Sequence, residues 1–186
     1  NLSSRDSASS AEFFGSSGTR DAVRMSRETE DAVFEVMWLW VRKHSLVTDA
    51  EVEKSRTWSF SGSENHHLQR FSTCWQFSKI LGKDQRYRDK PYEDGKKAGE
   101  HYKAWTVYAR EYLRERAKKS LFVEIASVYA PVSLKGIYNF YDFSDDPALK
   151  RSAEYFLDLY WATWAEEQID AVRGGGKSRL YQGPSS

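Results

Sequence analysis

The run Ser63-Glu64-Asn65-His66-His67-Leu68-Gln69-Arg70 gathers an amide, two imidazoles and a guanidinium into one short segment. If that run opens a helix, a period of 3.6 residues sets His66 with Arg70 on one face and Asn65 with Gln69 on another, while Leu68 and Phe71 turn to a core. The backbone N–H groups of a first helical turn favour a negative ligand. Donors of these types, converging there, suit a carboxylate. The plain structural alternative is that Asn65 helps to cap the helix and the histidines are surface residues or satisfied core donors.

Other chemistries fit the residues less well. Adjacent His66 and His67 cannot both face one ion from a helix, and His44 and His101 stand far off with no His-x-x-x-His spacing, so no metal site is expected. Gly174-Gly175-Gly176-Lys177-Ser178 contains a Lys-Ser pair but follows a helical pattern, where a phosphate loop follows a strand. No Gly-x-Ser-x-Gly elbow is present. The 28 Lys+Arg against 27 Asp+Glu leave a formal charge of +1, which is not the footprint of a nucleic-acid binder. A single cysteine, Cys74, excludes a disulfide framework and reads as a small buried hydrophobe. Mean hydropathy is -0.73 and no apolar run approaches eighteen residues, so no membrane-spanning helix is expected.

The elements that must position the candidate site are helices. At 186 residues the chain is the size of one domain. Only 4 Pro and 11 Gly interrupt it, while aromatics reach 15%, which favours long helices with ring-filled faces. The spacing of Val33, Val36, Met37, Trp40 and Val41 predicts a helix over 26–44. A short helical turn is possible over 49–54. Ser61 with Glu64 forms a capping-box pattern ahead of Leu68, Phe71, Cys74, Trp75, Phe77 and Leu81, predicting a second helix over 62–82. A long polar loop, 82–95, precedes a third helix over 96–119, with Tyr102, Trp105, Ala109, Tyr112 and Leu113 inward. Pro131 opens a fourth, which buries Leu134, Ile137, Tyr138 and Tyr141. Asp145-Asp146-Pro147 opens a fifth, running to about Val172 on Leu149, Ala153, Phe156, Tyr160 and Trp164. The Ser- and Gly-rich stretch 1–19 reads as a processed or truncated start, expected to be poorly ordered. Residues 20–181 form the helical domain and 182–186 a tail.

These residues also carry a resemblance. Ser63-Glu64-Asn65-His66-His67-Leu68, Phe122-Val123-Glu124 with Ser127 and Tyr129, the stretch 134–143 ending Tyr141-Asp142-Phe143, Asp146-Pro147 with Leu157-Asp158-Leu159, and Gly175-Gly176 leading to Ser178-Arg179-Leu180-Tyr181 resemble the α/α-toroid polysaccharide lyases that act on uronic-acid polymers such as alginate and glucuronan. The likeness spans about 16–181. It implies an all-α fold of antiparallel helical hairpins. A closed ring of about twelve helices needs on the order of 300 residues, so this chain would form an arc, an incomplete barrel of about five main helices.

The activity implied is β-elimination at a uronate residue of an anionic polysaccharide. Asn65 and His66 would bind and neutralise the C6 carboxylate, Tyr129 would take the C5 proton and protonate the leaving O4, and Arg179 would hold substrate. His67, Arg70 and Glu124 complete the candidate binding residues, with no metal and no cofactor implied. A substrate of polymer size places the protein in an extracellular or periplasmic setting. Two other readings stand beside this one. A non-catalytic carbohydrate-binding or interaction module, or an inactive fragment of such a lyase, would show rings such as Trp58, Trp75 or Trp105 as an exposed platform. A plain helical protein would scatter these residues.

Overall fold

The computed structural model describes residues 25–51, 57–60, 62–123, 129–169 and 172–173. The predicted low-complexity start and tail lie outside them, as do Ser61, Glu124 and Arg179. The fold is all-α. Helix α1 is Arg27–His44, α2 is the single turn Val47–Ala50, α3 is Glu64–Lys83, α4 is Ala98–Ala117, α5 is Ala130–Phe143 and α6 is Pro147–Glu166. A small antiparallel pair, β1 (Gln168–Ile169) and β2 (Val172–Arg173), follows α6. No helix among the described residues is long and apolar enough to cross a membrane.

Local chemistry accounts for most helix ends. The Ser26 hydroxyl accepts from Thr29 N at 3.2 Å to cap α1, with Glu28 and Glu30 in its first turn and Arg42, Lys43 and His44 in its last. Asp146 caps α6 by accepting from Ala148 N and Leu149 N, and Pro147 supplies the preset first turn. Helix α6 ends at Glu166, short of the expected Val172. Beyond it Ile169 pairs with Val172 as extended backbone, the conformation β-branched residues favour over helix.

Two predicted faces are rotated. In α1 the buried stripe is Phe34, Met37, Trp38 and Val41, while Val36 is 66% exposed. Phe34 and Trp38 pack on Tyr87 and Tyr92 of the turns after α3, and that aromatic partner sets which face turns in. In α5 the buried face is Ala130, Ser133, Leu134, Gly136, Ile137 and Phe140, with Tyr138 and Tyr141 toward its edges. Cys74 is fully buried, and burial pushes its thiol up to about 12.

Helices α3 to α6 form two antiparallel hairpins laid side by side, with α1 packed on α3. In the first, α3 runs against α4: Gly82 meets Ala98 at one end, Trp75 Nε1 donates to Thr106 Oγ1 midway at 3.0 Å, and Glu64 meets Arg116 at the other end. In the second, α5 runs against α6, with Lys150 over the Tyr141 ring and Trp161 Nε1 donating to the Tyr138 hydroxyl. Between hairpins α3 packs on α5 and α4 on α6. Leu68 touches Gly136, and further along both helices Lys79 Nζ donates to the Phe143 carbonyl, so α3 and α5 run parallel. The main core lies between the hairpins and holds Phe71, Trp75, Tyr112, Phe140 and Phe156.

Gly136 permits this approach. A Cβ there would stand 2.5 Å from Leu68 Cδ2 and 3.2 Å from the Leu68 carbonyl oxygen. Leu68 is fully buried and has nowhere to swing. Gly136→Ala is expected to destabilise the fold by roughly 1–2 kcal/mol, because overpacking of about 1–3 kcal/mol outweighs the better helix propensity of alanine. A lower urea midpoint with an unchanged slope would show it.

Candidate functional site

The first turns of α3 and α5 share one end of the paired hairpins, because the two helices are parallel and in contact. At that end α3 contributes Glu64, Asn65, His66 and His67, α4 contributes its last turn, and Tyr129 immediately precedes α5. The candidate residues of α3 point in different directions. Asn65 is buried at 4% exposure, and its Oδ1 has no hydrogen-bond partner among the described residues. His66 is exposed, with Nδ1 held by the Ser63 hydroxyl at 3.0 Å. His67 turns inward: Nε2 lies 2.8 Å from the Tyr108 hydroxyl, and its ring sits among Phe60, Phe71 and Tyr112. Of the two imidazoles, His66 is therefore the one that faces solvent.

Arg70 lies one turn further along on an exposed face. Its Nη2 donates to the His44 carbonyl at 3.1 Å and to Asp49 at 3.0 Å, so it braces the corner between α1 and α2. Tyr129 is half-buried, and its carbonyl accepts from Ser133 N at 2.9 Å to open α5. The structure thus brings Asn65, His66, His67 and the start of α5 to one end, and leaves Arg70 tied elsewhere.

Helix α3 begins at Glu64 with Ser63 at the cap position, and Ser61, the other half of the expected capping box, lies outside the described residues. The Glu64 carboxylate is fully buried, accepting from Arg116 Nη1 at 2.5 Å and from Val123 N at 2.8 Å. Ser63 stands at the cap position without a capping hydrogen bond from its side chain. Arg116 also donates from Nη2 to the Thr57 carbonyl at 3.1 Å, and its guanidinium lies 3.9 Å from the Trp58 ring centre and 4.7 Å from that of Tyr112. Sequence reasoning missed this cation. The signal was present, because residue 116 continues the inward stripe Trp105, Ala109, Tyr112, Leu113 by one more step of the helical period.

The electrostatics of this end follow from burial and from Arg116. Burial, with the cations of Arg116 and Arg70 adding to it, lowers His67 to about 4, so its ring is neutral near pH 7 and accepts the Tyr108 proton. Burial pushes Tyr108 up to about 12 and Tyr112 well above the ordinary tyrosine value, so both phenols stay protonated and Tyr108 donates to His67. No group of three His, Cys, Asp or Glu suited to a metal ion occurs among the described residues. Nor do the three tryptophans form a platform: Trp75 and Trp105 are core residues and Trp58 covers Arg116.

The chain matches no family model, no curated protein and no solved structure.

Two outcomes are expected. Arg116→Met strands the Glu64 carboxylate without a counter-ion in the core and is expected to cost about 3–5 kcal/mol, read by chemical denaturation at neutral pH. His67 carries a folded-state value below its unfolded one, so the unfolded chain takes up protons first. Stability is then level above about pH 6.5 and falls as pH drops toward 4, by an amount of order 3 kcal/mol. His67→Gln should remove that part of the slope in melts recorded across the range.

Proposed function

We propose that the protein is a polysaccharide lyase-like enzyme that cleaves uronic-acid-containing polysaccharide by β-elimination, and that its hairpins form an arc of an α/α toroid. The observation that carries this reading is the parallel packing of α3 on α5, which sets the Asn65-His66 turn and Tyr129 at the same end of the molecule. In the proposed reaction a base removes the proton at C5 of the uronate. The electron pair forms the C4=C5 double bond, the C4–O4 bond breaks, and O4 leaves with a proton.

Charge develops on the C6 carboxylate as that proton departs, so fixed donors at the carboxylate stabilise the transition state more than the ground state. Asn65 and His66 are the donors in this reading. His66 has its Nδ1 occupied by Ser63, which directs Nε2 outward. Asn65 would donate from its Nδ2, since its Oδ1, which has no partner among the described residues, can only accept. Tyr129 is the base and then the acid. A phenol with an ordinary pKa of about 10 needs a cation near it to do this work, a role that Arg179 would take, with Glu124 as a further substrate contact. His67 and Arg70 serve as supports, the first neutral and packed, the second bracing α1 and α2. A substrate of this kind would place the protein in an extracellular or periplasmic setting.

The test is incubation with alginate, glucuronan and related polymers while following the ultraviolet absorbance of the unsaturated product. Absorbance is expected with at least one uronate polymer. Tyr129→Phe should lower the rate by about 10²–10⁴-fold with binding largely retained, the usual worth of a positioned acid–base group. No absorbance from the folded full-length protein with any uronate polymer would overturn the assignment.

A further inference from the structure

Away from that end a second polar group is buried between elements. Trp105 Nε1 donates to Ser45 Oγ at 2.8 Å, Ser45 Oγ lies 2.9 Å from His101 Nδ1, and His101 Nε2 lies 3.1 Å from Asp94 Oδ1. Ser45 and His101 are fully buried, and the Tyr92 ring stacks on the imidazole with centres 4.1 Å apart. The row links four elements. Ser45 ends α1, Asp94 belongs to the turns before α4, His101 and Trp105 are on α4, and Asp94 Oδ2 accepts from Val47 N at the start of α2. Although the residues are Ser, His and Asp, they do not make a nucleophile: Ser45 has no exposed surface and its oxygen already serves the indole.

The donors fix the direction of the row. An indole nitrogen can only donate, and an ionised carboxylate can only accept. Trp105 therefore gives its proton to Ser45, Ser45 gives its own to His101 Nδ1, and His101 Nε2 gives its proton to Asp94. Every group is satisfied only while Nδ1 carries no proton. Protonation makes both ring nitrogens donors, and the Ser45 hydroxyl then accepts twice while its own proton is left with only the weak Cys74 sulfur as acceptor.

We propose that the Trp105–Ser45–His101–Asp94 row is an acid-sensitive latch that holds the α1–α2 corner and the turns before α4 against α4. The groups facing the ring are Ser45 from α1, Asp94 and Tyr92 from the turns, Cys74 of α3 beside Ser45, and Glu100 on the ring's own helix. Glu100 is drawn away by Lys97 N and by Lys96. Among the described residues Asp94 is the nearest anion, and with Glu100 it favours the charged ring, whereas burial opposes it more strongly and holds His101 below the ordinary histidine value. The latch is therefore closed near neutral pH. As pH falls below about 6.5 the open form binds the extra proton, and opening grows by up to about tenfold per pH unit until the closed ring itself titrates. The corner it holds carries the His44 carbonyl and Asp49, the two acceptors of Arg70.

Amide hydrogen exchange on the full chain tests this at Val47, Glu93 and Lys96, whose N–H groups bond to Asp94, the Arg42 carbonyl and Asp94 respectively. With intrinsic chemistry corrected for, their protection should fall between pH 7 and pH 5 in the natural protein and fall by clearly less in His101→Gln. Flat protection in the natural protein, or an equal fall in both, overturns the latch. A second measurement needs no variant: ring nitrogen shifts of His101 at pH 7 should show Nε2 protonated and Nδ1 bare, and the opposite tautomer overturns the row's direction. Neither measurement uses a polymer, so their outcome is independent of the lyase assay.

Discussion

A carboxylate and a guanidinium sealed from water, Glu64 and Arg116, tie together four pieces of chain that local sequence would leave apart: the first turn of α3, the last turn of α4, the 57–60 segment and the link that begins at Leu121. Desolvating two charges is expensive and is offset by close geometry and further hydrogen bonds. Here Glu64 accepts from Arg116 and Val123, and Arg116 adds a backbone carbonyl and two aromatic faces, while its Nε has no partner among the described residues. The same clamp holds Leu121 at a φ of 64°, a backbone state that a branched residue takes only when its surroundings dictate it, with Leu121 N bonded to the Arg116 carbonyl. Asn65 inherits its position from this arrangement, because it directly follows Glu64 and shares its turn.

The second constraint is steric. A bare Cα at Gly136 lets α5 lie close along α3, and the contact sets the register of one hairpin on the other. Flat aromatic rings then fill the space between them, with Phe71 stacked on both Trp105 and Phe140. Charge fixes one end of the structure, ring packing the middle, and the direction of α5 follows from both. The candidate site is a by-product of that direction: were α5 antiparallel to α3, Tyr129 would stand at the far end from Asn65.

How far these features could be read from the chain depends on how far apart their causes lie in it. Helices α1, α3, α4, α5 and α6 were legible because periodicity, Ser26, Asp146 and the two prolines act within a few residues. The polar start of α3 was legible for the same reason. The ion pair of Glu64 was not legible because its partner, Arg116, lies on another helix. The face of α1 was misread because Val33 and Val36 fit the helical period as well as Phe34 and Trp38 do. Only the Tyr87 and Tyr92 rings, brought in by the turns after α3, decide between them. His66 and His67 could not be told apart by spacing, since the pocket that takes His67 is built from Phe60, Phe71, Tyr108 and Tyr112.

Lys79 closes the opposite end in a different manner. Its ammonium, nearly hidden on α3, reaches across to the last carbonyl of α5 at Phe143 and to Asp145 in the corner before α6. A cation at a helix C-terminus satisfies groups that the helix cannot. Since this cation belongs to the neighbouring hairpin, the tip of α5 and α6 is riveted to α3. With Leu68 seated on Gly136 toward the other end, the two hairpins are pinned at two points, like a plank nailed at both ends, and neither point alone can serve as a pivot.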